Sequence, residues 1–119
     1  MSARLSSIGN LLTNLPDATA DEVFSEVLVR PGCRIERIVS LGQTTPAERP
    51  YRQPHDEWVL LLAGLARIEA EGVETTLAPG DHLLIPAHAS HRVTFTDPDN
   101  ATVWLAVHLD APAGDHSTQ

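Results

Sequence analysis

From Val23 to Leu109 the sequence consists of short stretches rich in Val, Ile, Leu and Thr, each closed by a turn signal. Val23–Val29 stops at Arg30-Pro31-Gly32, and Arg34–Ser40 runs into a loop holding Gly42, Pro46 and Pro50. Glu57–Ala63 halts at Gly64. Leu65–Ala70 and Val73–Leu77 form a hairpin around Glu71-Gly72. Pro79-Gly80 places both residues where a type II turn needs them, ahead of His82–Ile85 and its stop at Pro86. His91–Thr96 ends at Asp97-Pro98-Asp99-Asn100, and Thr102–Leu109 closes the series. A chain interrupted this often has no room for long helices. The expected class is all-β, an antiparallel sandwich or small barrel of eight strands.

The chain has 119 residues and no break in composition, so a single domain is expected. At that length roughly two thirds of the unfolded surface is buried on folding, enough for a core without disulfides. Residues 1–22 read as a lead-in packing on the barrel, with Asp17 capping a short helical turn through Ala20. Residues 23–112 form the barrel, and 113–119 are a small, polar, flexible tail. There is no apolar run of the ~18 residues a membrane span needs, and no basic start followed by an apolar leader. Cys33 stands alone, so a reducing, cytoplasmic location is expected. The formal charge is −8, and the arginines are scattered with no lysine among them. An acidic chain without a basic patch argues against nucleic acid and against anionic membranes.

Side-chain parity narrows the site, because successive strand residues point to opposite faces. Ala66, Ile68 and Ala70 oppose Leu65, Arg67 and Glu69, and Val93 and Phe95 oppose Arg92, Thr94 and Thr96. Each pattern is a sheet wetted on one side. Glu57–Ala63 and Thr102–Leu109 are apolar on both faces, so their outer side must be covered. The lead-in is one candidate cover. The other is a second subunit seated on a patch holding Trp58 and Trp104, and a homodimer is expected on that argument. Glu57 is in register with Val59 and Leu61, and His91 with Val93, so both point inward. A carboxylate and an imidazole on an apolar wall are costly unless paired or metal-bound. Extending the first register backwards adds His55, Gln53 and Tyr51, although Pro54 and Pro50 disturb it.

The chain resembles the cupins, small β-barrels with two motifs, G-x5-H-x-H-x3–4-E-x6-G and G-x5-P-x-G-x2-H-x3-N. Glu57 followed six residues later by Gly64 matches the end of the first, and Gly80, Pro86 and His91 follow the second. The resemblance covers about residues 34–109 and implies a jelly roll, or double-stranded β-helix, with a metal in its pocket. The departures are specific. Tyr51 and Gln53 replace the two histidines of the first motif, His88 stands at a glycine position and Phe95 at the asparagine. Of the family's three histidines and one glutamate, Glu57 and His91 remain at matching positions, and Gln53 adds an amide oxygen. That oxygen-rich set suits Mn²⁺, Fe²⁺ or Ni²⁺ better than structural Zn²⁺. Nothing points to a nucleotide or organic cofactor, since the glycines form no phosphate loop.

The resemblance also places Tyr51 at the mouth as a candidate proton donor and His55 as a candidate base. The remaining histidines read more plainly: His82 as surface, His88 as a turn residue, and His108 as part of the interface face or a satisfied buried histidine. Asp56 has the opposite parity to Glu57, which argues against a two-carboxylate device. The expectation is a small-molecule-binding cupin with a divalent metal in its pocket. With that metal it would be an enzyme (oxidation, isomerisation or decarboxylation of a small polar metabolite), and the alternative is a metal-free ligand-binding or sensing module without catalysis. A third alternative is an interaction protein working through the two tryptophans.

Overall fold

The computed structural model describes residues 4, 5 and 7–110, so the expected tail at 113–119 lies outside the described residues. Eight strands follow in order: β1 (Val23–Arg30), β2 (Cys33–Ser40), β3 (Asp56–Ala63), β4 (Ala66–Ala70), β5 (Val73–Leu77), β6 (His82–Ile85), β7 (His91–Thr96) and β8 (Thr102–Leu109). They pair antiparallel into a five-stranded sheet, β1-β2-β8-β3-β6, and a three-stranded sheet, β5-β4-β7. The result is an all-β jelly roll. Among the described residues no helix is long and apolar enough to cross a membrane.

Cross-strand register sets what the inner face presents. Arg34, His108, Glu57 and Ile85 lie opposite one another across β2, β8, β3 and β6. The next inward row is Glu36, Ala106, Val59 and Leu83, and below it come Ile38, Trp104 and Leu61. Polar groups thus gather toward one end of the sheet. The apolar rows beneath join Ala66, Ile68 and Leu77 from the facing sheet in one core.

The outer face of β2 and β8 is covered by the chain itself at its Val39–Val103 end and left half-buried to exposed toward Leu109. Val39 and Val103 pair on that face, yet are 1% and 0% exposed. Arg37, on the same face, donates from Nη1 to the carbonyls of Leu11 (3.3 Å) and Thr13 (3.4 Å). Gln43 Nε2 donates to the Ala18 carbonyl at 2.7 Å, and Ala18 is buried. The helical turn expected after Asp17 does not form. Asp17 Oδ1 instead accepts from the Thr19 amide (2.9 Å) and the Thr19 hydroxyl (2.7 Å). Those two bonds close a side-chain turn, which competes with a helix too short to offset its own nucleation.

Two parity expectations fail. Trp104 points into the core rather than out beside Trp58. It is 3% exposed and packs in the central cluster, whereas Trp58 faces outward against the ring of His82. The two-tryptophan patch behind the homodimer and interaction-protein expectations therefore does not exist. Both faces of β8 are apolar, the outer one covered at Val103 and progressively exposed through Leu105 and Val107 to Leu109, so composition could not say which one looks inward. Phe95 is the second case. Arg67 pairs with Phe95 but Ile68 pairs with Val93, so β7 carries one extra residue at Thr94. That bulge reverses parity, turning Phe95 outward beneath the Arg67 guanidinium at 4.9 Å and burying Thr96.

Candidate functional site

The loop before β3 is zipped to the segment leading into β7 despite its prolines. Tyr51 N–H donates to the His91 carbonyl (2.7 Å) and His91 N–H to the Tyr51 carbonyl (2.9 Å). His88 N–H donates to the Gln53 carbonyl at 2.6 Å, and Arg52 Nη1 to the His88 carbonyl at 3.0 Å. These bonds stack the Tyr51 ring on His91 (centroids 5.7 Å apart, planes at 27°) and bring Gln53 over Glu57. His88 holds φ at +69°, the left-handed conformation for which the motif uses glycine.

Glu57 and His91 are 8% and 7% exposed. Gln53 Nε2 donates to Glu57 Oε1 at 2.7 Å. His91 Nδ1 lies 3.1 Å from the Ala89 carbonyl, which can only accept, so Nδ1 carries the hydrogen of the neutral ring. Nε2 is then left as a lone pair 3.7 Å from Glu57 Oε1. Two acceptors therefore face the same space. A proton, a cation or a ligand's donor group is what would reconcile them.

That space belongs to a cavity of about 190 Å³ between the sheets. Val59, Ile68, Ile85, Val93 and Trp104 give it apolar walls, and Tyr51, Gln53, Glu57 and His91 line its polar part. The indole N–H of Trp104 donates to Ser40 Oγ at 3.3 Å, and the Ser40 hydroxyl donates in turn to Glu22. Burial pushes the Glu22 carboxyl above the ordinary range, and the Ser40 hydroxyl partly offsets this. Burial, then Glu22 and Glu57, push the Tyr51 phenol up, so it stays protonated at neutral pH.

A second polar cluster on the same wall is built on His108. Its Nε2 lies 2.9 Å from Glu36 Oε1, and its Nδ1 lies 3.0 Å from His55 Nε2. An ionised carboxylate only accepts, so His108 donates from Nε2, accepts at Nδ1, and His55 donates to it. Burial first, then His108 and Arg34, hold His55 below the usual histidine range, with Asp110 and Glu57 acting the other way. His55 is therefore tied to His108 instead of joining Glu57 and His91. His108 is a satisfied buried histidine and not part of an outer interface. Glu36 had no sequence signal of its own, because only the pairing of β2 with β8 places it beside His108's strand.

Among the described residues, no three His, Cys, Asp or Glu side chains converge closely enough to hold a metal ion. Glu57 and His91 make a pair, and a third donor would be the Gln53 amide oxygen after a half-turn of that amide.

A family model for the cupin domain matches residues 37–108. The chain is a cupin. It is 47% identical to a Ralstonia eutropha JMP134 protein assigned provisionally as a mannose-6-phosphate isomerase, over 89% of this chain and all of that one, with a TM-score of 0.84. A cupin superfamily protein of Desulfitobacterium hafniense DCB-2 matches 92% of this chain and all of its own, at 19% identity and a TM-score of 0.73. A Thermus thermophilus protein matches 88% of this chain and 98% of its own, at 20% identity and a TM-score of 0.74. The latter two share the fold alone. No curated protein matches the chain. In this cupin the two retained motif residues, Glu57 and His91, meet in the cavity. Tyr51, at a motif histidine position, offers the face of its ring to His91.

Proposed function

We propose that this cupin binds a small polar molecule in the cavity between its sheets. The facing acceptor atoms of Glu57 and His91, buried beside the apolar walls of the cavity, carry the reading. Hydroxyl or amine groups of a ligand would satisfy both, and the apolar walls would exclude water around them. The name borne by the Ralstonia relative supports an isomerase activity for this chain as well. In that case the Tyr51 phenol, on the cavity lining, would be the candidate proton donor, whereas His55, bonded to His108 and not lining the cavity, is not supported as the base. The test is a thermal-shift screen of small polar metabolites, run with and without divalent ions. A hit should raise the melting temperature of the wild type and not that of Glu57→Ala or His91→Ala. A full screen without any hit would remove the basis of the proposal.

A divalent metal is a second reading, favoured by one observation. His91 donates its Nδ1 hydrogen to a backbone carbonyl and turns Nε2 toward a carboxylate, as metal-bound histidines do. Glu57, His91 and the rotated Gln53 amide would hold Mn²⁺, Fe²⁺ or Ni²⁺, with Zn²⁺ less suited to so much oxygen. Such an ion would polarise a ligand oxygen as a Lewis acid. Elemental analysis of protein purified without chelating resin decides it. Near-stoichiometric metal should appear, and should vanish in Glu57→Ala and in His91→Ala. Metal-free protein whose melting temperature ignores all three ions would end this reading.

A further inference from the structure

We infer that the ligand is a hydroxylated anion, a sugar phosphate or a sugar acid, lying along one row of the large sheet with its anion on Arg34 and its hydroxyls on Glu57 and His91. The inference rests on the small-molecule reading above and adds the ligand's chemical class. Arg34, His108 and Glu57 stand opposite one another on the adjacent strands β2, β8 and β3. Neighbouring strands are about 4.8 Å apart, so the backbones at Arg34 and Glu57 are separated by roughly 10 Å. Arg34 is the one Arg or Lys side chain lining the cavity among the described residues. Among those residues the one Arg–carboxylate pair is Arg92–Glu69, the other close nitrogen–carboxylate contacts are His91–Glu57 and His108–Glu36, and none involves Arg34.

The rest of the row has little to offer a charged ligand. Both nitrogens of His108 are engaged, one by Glu36 and the other by His55. The Glu22 carboxyl is engaged by Ser40. What remains is the exposed Arg34 guanidinium at one end, without a carboxylate partner among the described residues, and at the other the lone pair of His91 Nε2 beside Glu57, whose Oε1 already accepts from Gln53. A neutral sugar would satisfy only the acceptors, and an ammonium compound would leave Arg34 unmet. A simple anion without hydroxyls would meet Arg34 and leave Glu57 and His91 as they are. A polyhydroxylated anion satisfies both ends, and its few carbons span the distance between them. The planar fork of Arg34 suits a carboxylate or a phosphate equally.

Trp104 makes the proposal directly measurable, since its indole lines the cavity and Trp58, the other tryptophan, lies outside it. In the Trp58→Phe protein, Trp104 fluorescence is titrated with D-mannose 6-phosphate, D-gluconate, D-mannose and D-glucosamine. At least one anion should bind about 10-fold or more tightly than mannose and glucosamine, and the two anions against each other separate phosphate from carboxylate. Arg34→Gln should weaken that anion by about 10- to 100-fold, the cost of one charge-assisted contact, and leave mannose within about 2-fold. Arg34→Lys should recover part of the loss. Mannose or glucosamine binding as well as the anions would overturn the inference while the small-molecule reading stood. Anion binding unaffected by Arg34→Gln would overturn it in the same way. Silence from all four probes also overturns it, and the broader metabolite screen then judges the pocket separately.

Discussion

At Gly64, which ends β3 with φ at +92°, an added Cβ would lie 2.4 Å from Thr102 Oγ1 and 2.6 Å from Thr102 Cα. Thr102 is fully buried in β8, so its backbone cannot give way. Gly64→Ala should cost about 3 kcal/mol or more in urea unfolding, from strain and overpacking together. His88 also stands at a motif glycine position, but there the left-handed backbone already carries a side chain. Its two loop bonds run through its own amide and carbonyl. His88→Gly should therefore stay within about 1 kcal/mol of wild type, on the stable side if the relief of left-handed strain dominates. Glu22 brings a pH dependence. Burial raises its folded-state pKa above the unfolded value, so its favourable contribution is complete at acid pH and is lost as pH rises through the folded pKa. Glu22→Gln avoids that loss. Its melting temperature should exceed wild type at about pH 7.5, with the gap shrinking toward zero as pH falls to about 4, near the ordinary glutamate value. A gap that widens on acidification would contradict the assigned direction.

Between elements, the bond from Glu36 on β2 to His108 on β8 joins two strands on the cavity wall, and His55 extends it into the loop before β3. Glu36 and His108 are both largely shielded, so deleting either strands the other. The double-mutant cycle of Glu36→Ala and His108→Ala should show a coupling of about 1–3 kcal/mol by chemical denaturation, against near zero for an incidental contact. This cluster also marks how far the sequence can be read. Glu57 and His91 are legible because each sits in a strand whose inward register shows beside Val59 and Val93. His108 is not, because Thr102–Leu109 is apolar on both faces and its inward side is set by pairing with β2 and β3. Phe95 misleads for a local reason: one extra residue in β7 leaves no trace in the alternation but turns its ring outward. The strand boundaries themselves are readable almost to the residue, since turn residues mark them chemically.

On the scale of the whole molecule, five strands face three, and the larger sheet needs cover on its outer side. The chain supplies that cover for β2 and β8 with the segment around residues 10–18, held by Arg37 and Gln43. The arrangement explains how β8 can be apolar on both faces without presenting an outer patch at Val103. It also separates two roles in space, because the segment lies on the outside of the sheet and the cavity on the inside. Removing residues 1–19 would uncover Val39 and Val103 and take away the carbonyl partners of Arg37 and Gln43. The expected loss is about 2–4 kcal/mol, from partial re-exposure of two valines and three hydrogen bonds left to water. The inner row from Arg34 to Glu57 does not depend on that segment for its register, so the truncated protein, at a temperature where it stays folded, should bind the same ligand within about 3-fold of the full chain. Equal melting temperatures for the two proteins would show that the segment is not a cover. Lost stability together with lost binding would show that outer face and cavity are coupled through the sheet.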